Sequence, residues 1–240
     1  MSHPAPESAI PSLCLDRFNE AVRLANAGDA AAALAHYRAI FAGEDGQRLQ
    51  GTIPGRFVAL VKLRQAYCLM DLGDYDPARE LLAQLDQGLA GQLSTEEIFE
   101  FYLAYGNVLG NLALVSAENQ ATFLPEAIDR FAHAMNVAVE YLQDPDRFRT
   151  AWYWVLYWEK QTESWAALDE HCLDASGFGV ENNDPQLQLM ALEFRCYAHR
   201  ALGRPDEARQ SATAILAWKH QTQASPEDID AWNDFLDSLD

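Results

Sequence analysis

Apolar residues recur along this chain at helical spacing, three and four positions apart, and the stripes are interrupted at intervals by Gly, Asp, Ser and Pro. The clearest unit covers residues 66–85, AYCLMDLGDYDPARELLAQL. Leu60, Leu63, Tyr67, Leu69 and Met70 form one amphipathic stripe. Gly73 follows as a stop that can take the left-handed conformation without a Cβ clash. Asp74 and Pro77 then open a second stripe containing Ala78, Leu81, Leu82 and Leu85. So short a turn predicts two antiparallel neighbouring helices.

The same reading predicts helices over 13–27, 29–43, 52–73, 74–88, 94–116 and 123–142. Within this run Ser94-Thr95-Glu96-Glu97 is a capping box. Cap-plus-proline starts at Asp144-Pro145, Asp184-Pro185 and Ser225-Pro226 open further helices. A helix over 163–173, a loop over 175–183 and a helix following Gly203 complete the set. Polar, glycine-rich 43–55 is expected to be a flexible excursion. The domain plan is a disordered lead-in over 1–12, a repeat domain over 13–224 and an acidic amphipathic helix over 225–240. Ile229, Trp232, Phe235, Leu236 and Leu239 share one side of that last helix, suited to capping a repeat stack.

Composition narrows the function classes. Nearly half of the 240 residues are hydrophobic, and the net charge is −19. That charge argues against a nucleic-acid footprint, which needs a basic face, and against an anionic membrane surface; it suits a basic partner or plain solubility. Cys14, Cys68, Cys172 and Cys196 show no paired spacing, so a disulfide framework is not expected. Two of them lie in helical stripes, where a thiol behaves as a small hydrophobe. The opening MSHPAPESAIPS has no cationic and apolar run, so no signal peptide is expected, and no stretch is long enough to span a bilayer. The expected location is the cytoplasm.

Small residues at the hairpin crossing recur as Ala33, Ala78, Ala127, Ala167 and Ala208, 40 to 49 residues apart. Three units, AGDAAAALAHY, LGDYDPARELL and LGRPDEARQSA, keep the glycine turn, whereas KQTESWAAL places Thr162 where glycine would stand. This pattern resembles the tetratricopeptide repeat (TPR), with Gly28, Ala33 and Tyr37, then Gly73, Tyr75 and Ala78, then Gly203 and Ala208 at the matching positions. The intervals exceed the family's period of about 34 residues. The resemblance implies an all-α fold: a right-handed α-α superhelix of about five helical hairpins plus a C-terminal capping helix. It also implies a concave groove lined by the first helix of each hairpin and filled by a protein segment. One TPR subclass grips acidic C-termini with groove Lys and Asn. Here Phe18 and Val22 stand at matching positions, and Lys62, Lys160 and Lys219 are scattered, so that subclass is not expected.

The candidate partner-binding residues are Leu63, Tyr67, Met70, Leu103, Asn107, Asn111, Trp154, Trp158 and Tyr197. Asn107 and Asn111 lie one turn apart and face the groove if Gly106 is the small first-helix residue; an amide can pair with a peptide main chain. Trp152, Tyr153, Trp154, Tyr157 and Trp158 form the most aromatic stretch, read either as a helix buried on all sides or as an aromatic groove wall. Residues 80–129 carry acidic side chains and no Lys or Arg. No catalytic constellation emerges: Cys196 with His199, and Glu170-His171-Cys172, offer too few ligands for zinc, and no phosphate loop, GxSxG or HExxH is present. No enzyme activity, cofactor or metal is expected. The leading reading is an adaptor that holds a protein or peptide segment. The alternative is an acidic inhibitor, of immunity or antitoxin type, masking a basic enzyme or effector.

Overall fold

The computed structural model describes residues 10–42, 48, 51–88 and 90–239. Residues 1–9 of the lead-in and most of the 43–55 loop lie outside the described residues. Every regular element among those described is helical: α1 (Ser12–Asn26), α2 (Ala30–Ile40), α3 (Gly55–Asp71), α4 (Tyr75–Gly88), α5 (Thr95–Ala113), α6 (Ala117–Asn136), α7 (Pro145–Gln161), α8 (Trp165–Glu181), α9 (Pro185–Ala201), α10 (Pro205–Gln221) and α11 (Pro226–Asp237). A 3-10 turn (Ala90–Gln92) precedes α5, and a π-helical turn (Val137–Leu142) follows α6. Contacts divide the chain into two compact units, Met1–Asp144 and Pro145–Asp240. The boundary falls inside the stretch read from sequence as one repeat domain.

In the first unit, consecutive helices pack as antiparallel neighbours, and α3 also touches α5. Its core runs through Ala33, Ala59, Leu63, Ala66, Ala78, Leu82, Leu85, Phe101 and Phe131, all fully buried. In the second, α7 packs on α8 and α9, α9 on α8 and α10, and α10 on α11. Leu156, Leu168, Cys172 and Ala198 fill one core cluster of this unit. The next is built from Cys196, Ala212, Ile215, Leu216, Trp232 and Phe235, with Ile229, Leu236 and Leu239 of α11 against it.

Caps explain several helix starts. Asp29 accepts from the Ala32 amide, and Ser94 and Glu97 form the reciprocal capping box. Asp184 accepts from the amides of Gln186 and Leu187, and Ser225 from that of Asp228. Ser116 accepts from the Asn119 amide, so α6 starts at Ala117 rather than at 123, and α5 ends at Ala113 rather than 116.

The turns follow one backbone rule that glycine only partly reveals. Gly28, Gly73 and Gly203 take positive φ, but so do Glu163, Asn183 and Gln223. In each case the next amide reaches back to a carbonyl near the helix end: Asp29 to Leu24, Asp74 to Leu69, Ser164 to Glu159, Asp184 to Gly179, Arg204 to His199 and Ala224 to Lys219, all at 2.8–3.0 Å. This closure satisfies carbonyls that the helix end orphans. Glu163 therefore occupies the place read for Thr162, and the crossing residue of that hairpin is the buried Leu168 rather than Ala167. The stretch 175–183, read as a loop, is largely helix, because α8 continues to Glu181. Gly179 sits where a Cβ would lie 3.1 Å from the Asp184 carbonyl and 3.2 Å from the Gln188 amide. Gly179 marks close approach, not a break.

A left-handed L-residue costs about 1–2 kcal/mol, and glycine's extra unfolded-chain freedom offsets roughly half of that. Glu163→Gly is thus expected to stabilise the second unit by about 0.5–1 kcal/mol. All six tryptophans lie within Pro145–Asp240, so urea melts followed by tryptophan fluorescence read this unit directly. A lower midpoint would count against the account.

Candidate partner-binding site

Each unit presents a recess between the first helices of successive hairpins. In Met1–Asp144 it is about 370 Å³, lined by Phe18 and Val22 of α1, Leu60, Arg64, Tyr67 and Asp71 of α3, and Glu97 of α5. Phe18 packs edge-on against Tyr37 and at a tilt against Phe57, which fixes the floor. The Tyr67 hydroxyl donates to the Glu100 carbonyl at 3.1 Å, and Arg64 pairs with the Glu100 carboxylate at 3.2 Å. Burial, then the nearby Glu100 charge, pushes the Tyr67 phenol well above its ordinary range, so it remains a neutral donor. Arg56 holds Glu97 at 3.2 Å. Among the described residues no cation lies within ion-pair distance of Asp71, which lines the same recess.

In the second unit the face is aromatic. A recess of about 420 Å³ between α7 and α9 is lined by Arg149, Thr150, Tyr153, Trp154, Gln186 and Met190 with Asp146. Arg149 pairs with Asp146 and, at 2.7 Å, with Asp184, tying α7 to the start of α9. Tyr153, 38% exposed, stacks on Tyr157 and meets Trp154 and, across the helices, Phe194 edge-on. Trp154 stacks on Trp158. Further along, the Lys160 ammonium sits 3.6 Å from the centre of the Tyr197 ring.

Beneath this face lie the polar groups that hold the hairpins in register. Asp169 of α8 accepts from Arg195 Nε at 2.8 Å and Arg204 at 2.9 Å, and its Oδ1 lies 3.1 Å from His199 Nε2. Burial works to raise this carboxyl's pKa. The Arg195 hydrogen bond and the His199 and Arg195 charges outweigh it, so the group titrates below its ordinary range. Fully buried Glu159 lies 2.6 Å from His171 Nδ1. That contact lifts the imidazole pKa against the opposing effect of burial. Lys219 bridges Glu193 of α9 at 3.0 Å and Asp228 of α11 at 2.7 Å. These groups are ion-pair partners, which accounts for both histidines that sequence reading set beside cysteines. All four cysteines are buried free thiols, and burial pushes Cys196 up to about 12. Among the described residues no group of three or more His, Cys, Asp and Glu is placed to hold a metal.

Of the nine candidate residues, Tyr67 lines the first recess and Trp154 the second, while Tyr197 lies under Lys160. Met70 and Leu103 are half-buried. Two candidates are corrected. Leu63 is fully buried with Ala59 and Ala66 one turn to either side, and Trp158 is 4% exposed beneath Trp154; neither has surface to offer a partner. The Asn107 amide donates to the Leu103 carbonyl at 2.9 Å and the Asn111 amide to that of Asn107 at 2.8 Å. One N–H of each amide is thus turned onto its own helix. Sequence reasoning missed Arg64, Asp71, Phe194 and Arg200, because which residues meet across helices is decided by packing.

In each unit, helical hairpins closed by a recurrent left-handed turn give a TPR-like helical-repeat fold. No protein-family model matches the chain, and no curated protein matches it either. Among solved structures it is similar to nearly identical TPR-like repeats from Podosopora anserina, at 17% identity and a TM-score of 0.63, covering 90% of this chain and 99% of that one. A thermophilic TPR protein of Thermus thermophilus aligns over 94% of this chain and 98% of its own at 15% identity and a TM-score of 0.49. The chain thus has a divergent TPR-like helical-repeat fold. No helix among the described residues is long and apolar enough to cross a membrane.

Proposed function

We propose that this protein is a non-catalytic interaction module that holds a segment of a protein partner against the first helices of its hairpins. One observation carries the reading: in the half-exposed aromatic row of Tyr153, Trp154 and Tyr157, Tyr153 and Trp154 border a recess rather than filling a core. Tyr and Trp supply large contact area with few rotatable bonds, and such residues dominate binding energy at protein interfaces. The buried free thiols suit a reducing compartment, which supports placing the protein in the cytoplasm.

A photo-crosslinking amino acid at position 153 of the full chain should trap the partner. The same group at Leu173, exposed on α8, should not. Tyr153→Ala combined with Trp154→Ala is expected to weaken binding of the trapped species about tenfold, near 1.4 kcal/mol. Equal trapping at both positions, or unchanged affinity in the double variant, would retire the proposal.

A further inference from the structure

Lys160 closes α7 and Arg200 lies near the end of α9. Packing brings them to the same end of the aromatic face. The Lys160 ammonium lies over the Tyr197 ring and 6.0 Å from the centre of Phe194, while the Arg200 guanidinium lies 5.3 Å from the centre of Phe235. Arg200 also donates to the Ser238 hydroxyl at 3.2 Å. Other charged groups around this end are engaged elsewhere: Glu193 with Lys219, Asp228 with Lys219, and Asp169 with Arg195 and Arg204. Among the described residues no carboxylate lies within ion-pair distance of Lys160 or Arg200.

That arrangement is unexpected in a chain of net charge −19. Acidic side chains are abundant, yet among the described residues these two neighbouring cations meet aromatic faces and a hydroxyl rather than carboxylates. Burial and then the Arg200 charge lower the Lys160 pKa. A cation over an aromatic face still has its outward side free for an anion, and partial desolvation strengthens that attraction.

Taking the interaction-module reading as its premise, we infer that the α7–α9 face selects a partner segment whose carboxylate sits beside apolar side chains. The carboxylate pairs with Lys160 and Arg200, and the apolar side chains lie on Tyr153, Trp154 and Tyr157. This reverses, for this face, the sign expected from overall charge: global electrostatics favours a basic partner, local geometry an acidic one.

The opposition supplies the test. Two blocked hexapeptides, acetyl-Glu-Leu-Asp-Leu-Glu-Leu-amide and its Lys-for-acid counterpart, are titrated into the full chain at low and physiological salt. Tryptophan fluorescence reports binding, since all six tryptophans belong to this unit. The acidic peptide should bind at least tenfold tighter than the basic one, although the net charge of the protein opposes it. Lys160→Glu with Arg200→Glu should invert that preference and leave the far-UV circular dichroism unchanged. Tyr153→Ala with Trp154→Ala should weaken the acidic peptide without changing which peptide is preferred. Equal or tighter binding of the basic peptide by the unaltered chain overturns the inference. Should the aromatic variant weaken binding while charge reversal leaves the preference unmoved, the selectivity fails and the interaction-module reading stands. If neither variant changes binding, both fall.

Discussion

Asp169→Ala is expected to destabilise the Pro145–Asp240 unit by about 2 kcal/mol, since it strips charge-assisted hydrogen bonds from a partly buried carboxylate. Three cationic or imidazole groups converge on this carboxylate from α9 and the turn that follows it. His199 is 4% exposed, and its Nδ1 makes no hydrogen bond among the described residues, so the Asp169 contact is the one that satisfies the ring. Alanine leaves His199 and the half-buried Arg195 without their acceptor and opens a small void between α8 and α9. The pH dependence follows in sign. Because the folded carboxyl titrates below its unfolded value, its contribution is complete above about pH 4 and fades as pH falls through the folded pKa. The gap between the parent and Asp169→Ala, measured by tryptophan-detected urea melts, should therefore close on acidification. A gap below about 1 kcal/mol at neutral pH, or one that persists in acid, would show the cluster to be ornamental.

Gly106→Leu is expected to cost the first unit about 3 kcal/mol or more, since overpacking of a filled core has no inexpensive relaxation. A Cβ at Gly106 would lie 2.5 Å from Cε1 and 2.6 Å from Cζ of Phe131, a side chain that is itself fully buried on α6. Alanine makes the sharper experiment. Helix propensity alone predicts that Gly→Ala stabilises by about 1 kcal/mol, and it should do so at Gly177 of α8, where a Cβ meets nothing within 4 Å. At Gly106 the same change should destabilise by about 1–2 kcal/mol. Trimming the ring with Phe131→Leu should make the pair less damaging than the sum of its parts. Residues 1–144 contain no tryptophan, so far-UV circular dichroism should register the loss while the tryptophan-detected transition moves less. Stabilisation by Gly106→Ala would mean that α5 and α6 separate readily.

Both effects reside in residues that a one-dimensional reading weighs poorly. Gly106 was legible as the small residue of its helix, because a glycine within an apolar stripe announces close approach. Asp169 was not, since Trp165-Ala-Ala-Leu-Asp169 reads as an ordinary amphipathic start with a surface acid. Its partners lie 26 to 35 residues away on α9 and the turn after it. The same holds for the α7–α9 face. Lys160 is one of three scattered lysines until α8 folds back and sets α9 beside α7, and only then does it meet Tyr197.

The turns show the division most plainly. Gly28, Gly73 and Gly203 could be read directly because glycine adopts positive φ without penalty. Glu163, Asn183 and Gln223 adopt it in the same backbone closure, yet no composition rule marks glutamate or glutamine for that role. Their conformation is imposed by the packed helices on either side, whose burial outweighs about 1–2 kcal/mol of local strain.

By itself the sequence determined the helical class, most helix starts and the hairpin repeat, because side-chain periodicity, caps and glycine act over a few residues. It also carried the aromatic content of α7 and the apolar stripe of α11. Tertiary structure alone decided which aromatic rings stay half-exposed and which cations lie over aromatic rings. Those outcomes depend on contacts between residues distant in the chain, and pairing across helices leaves no periodic trace in any one of them.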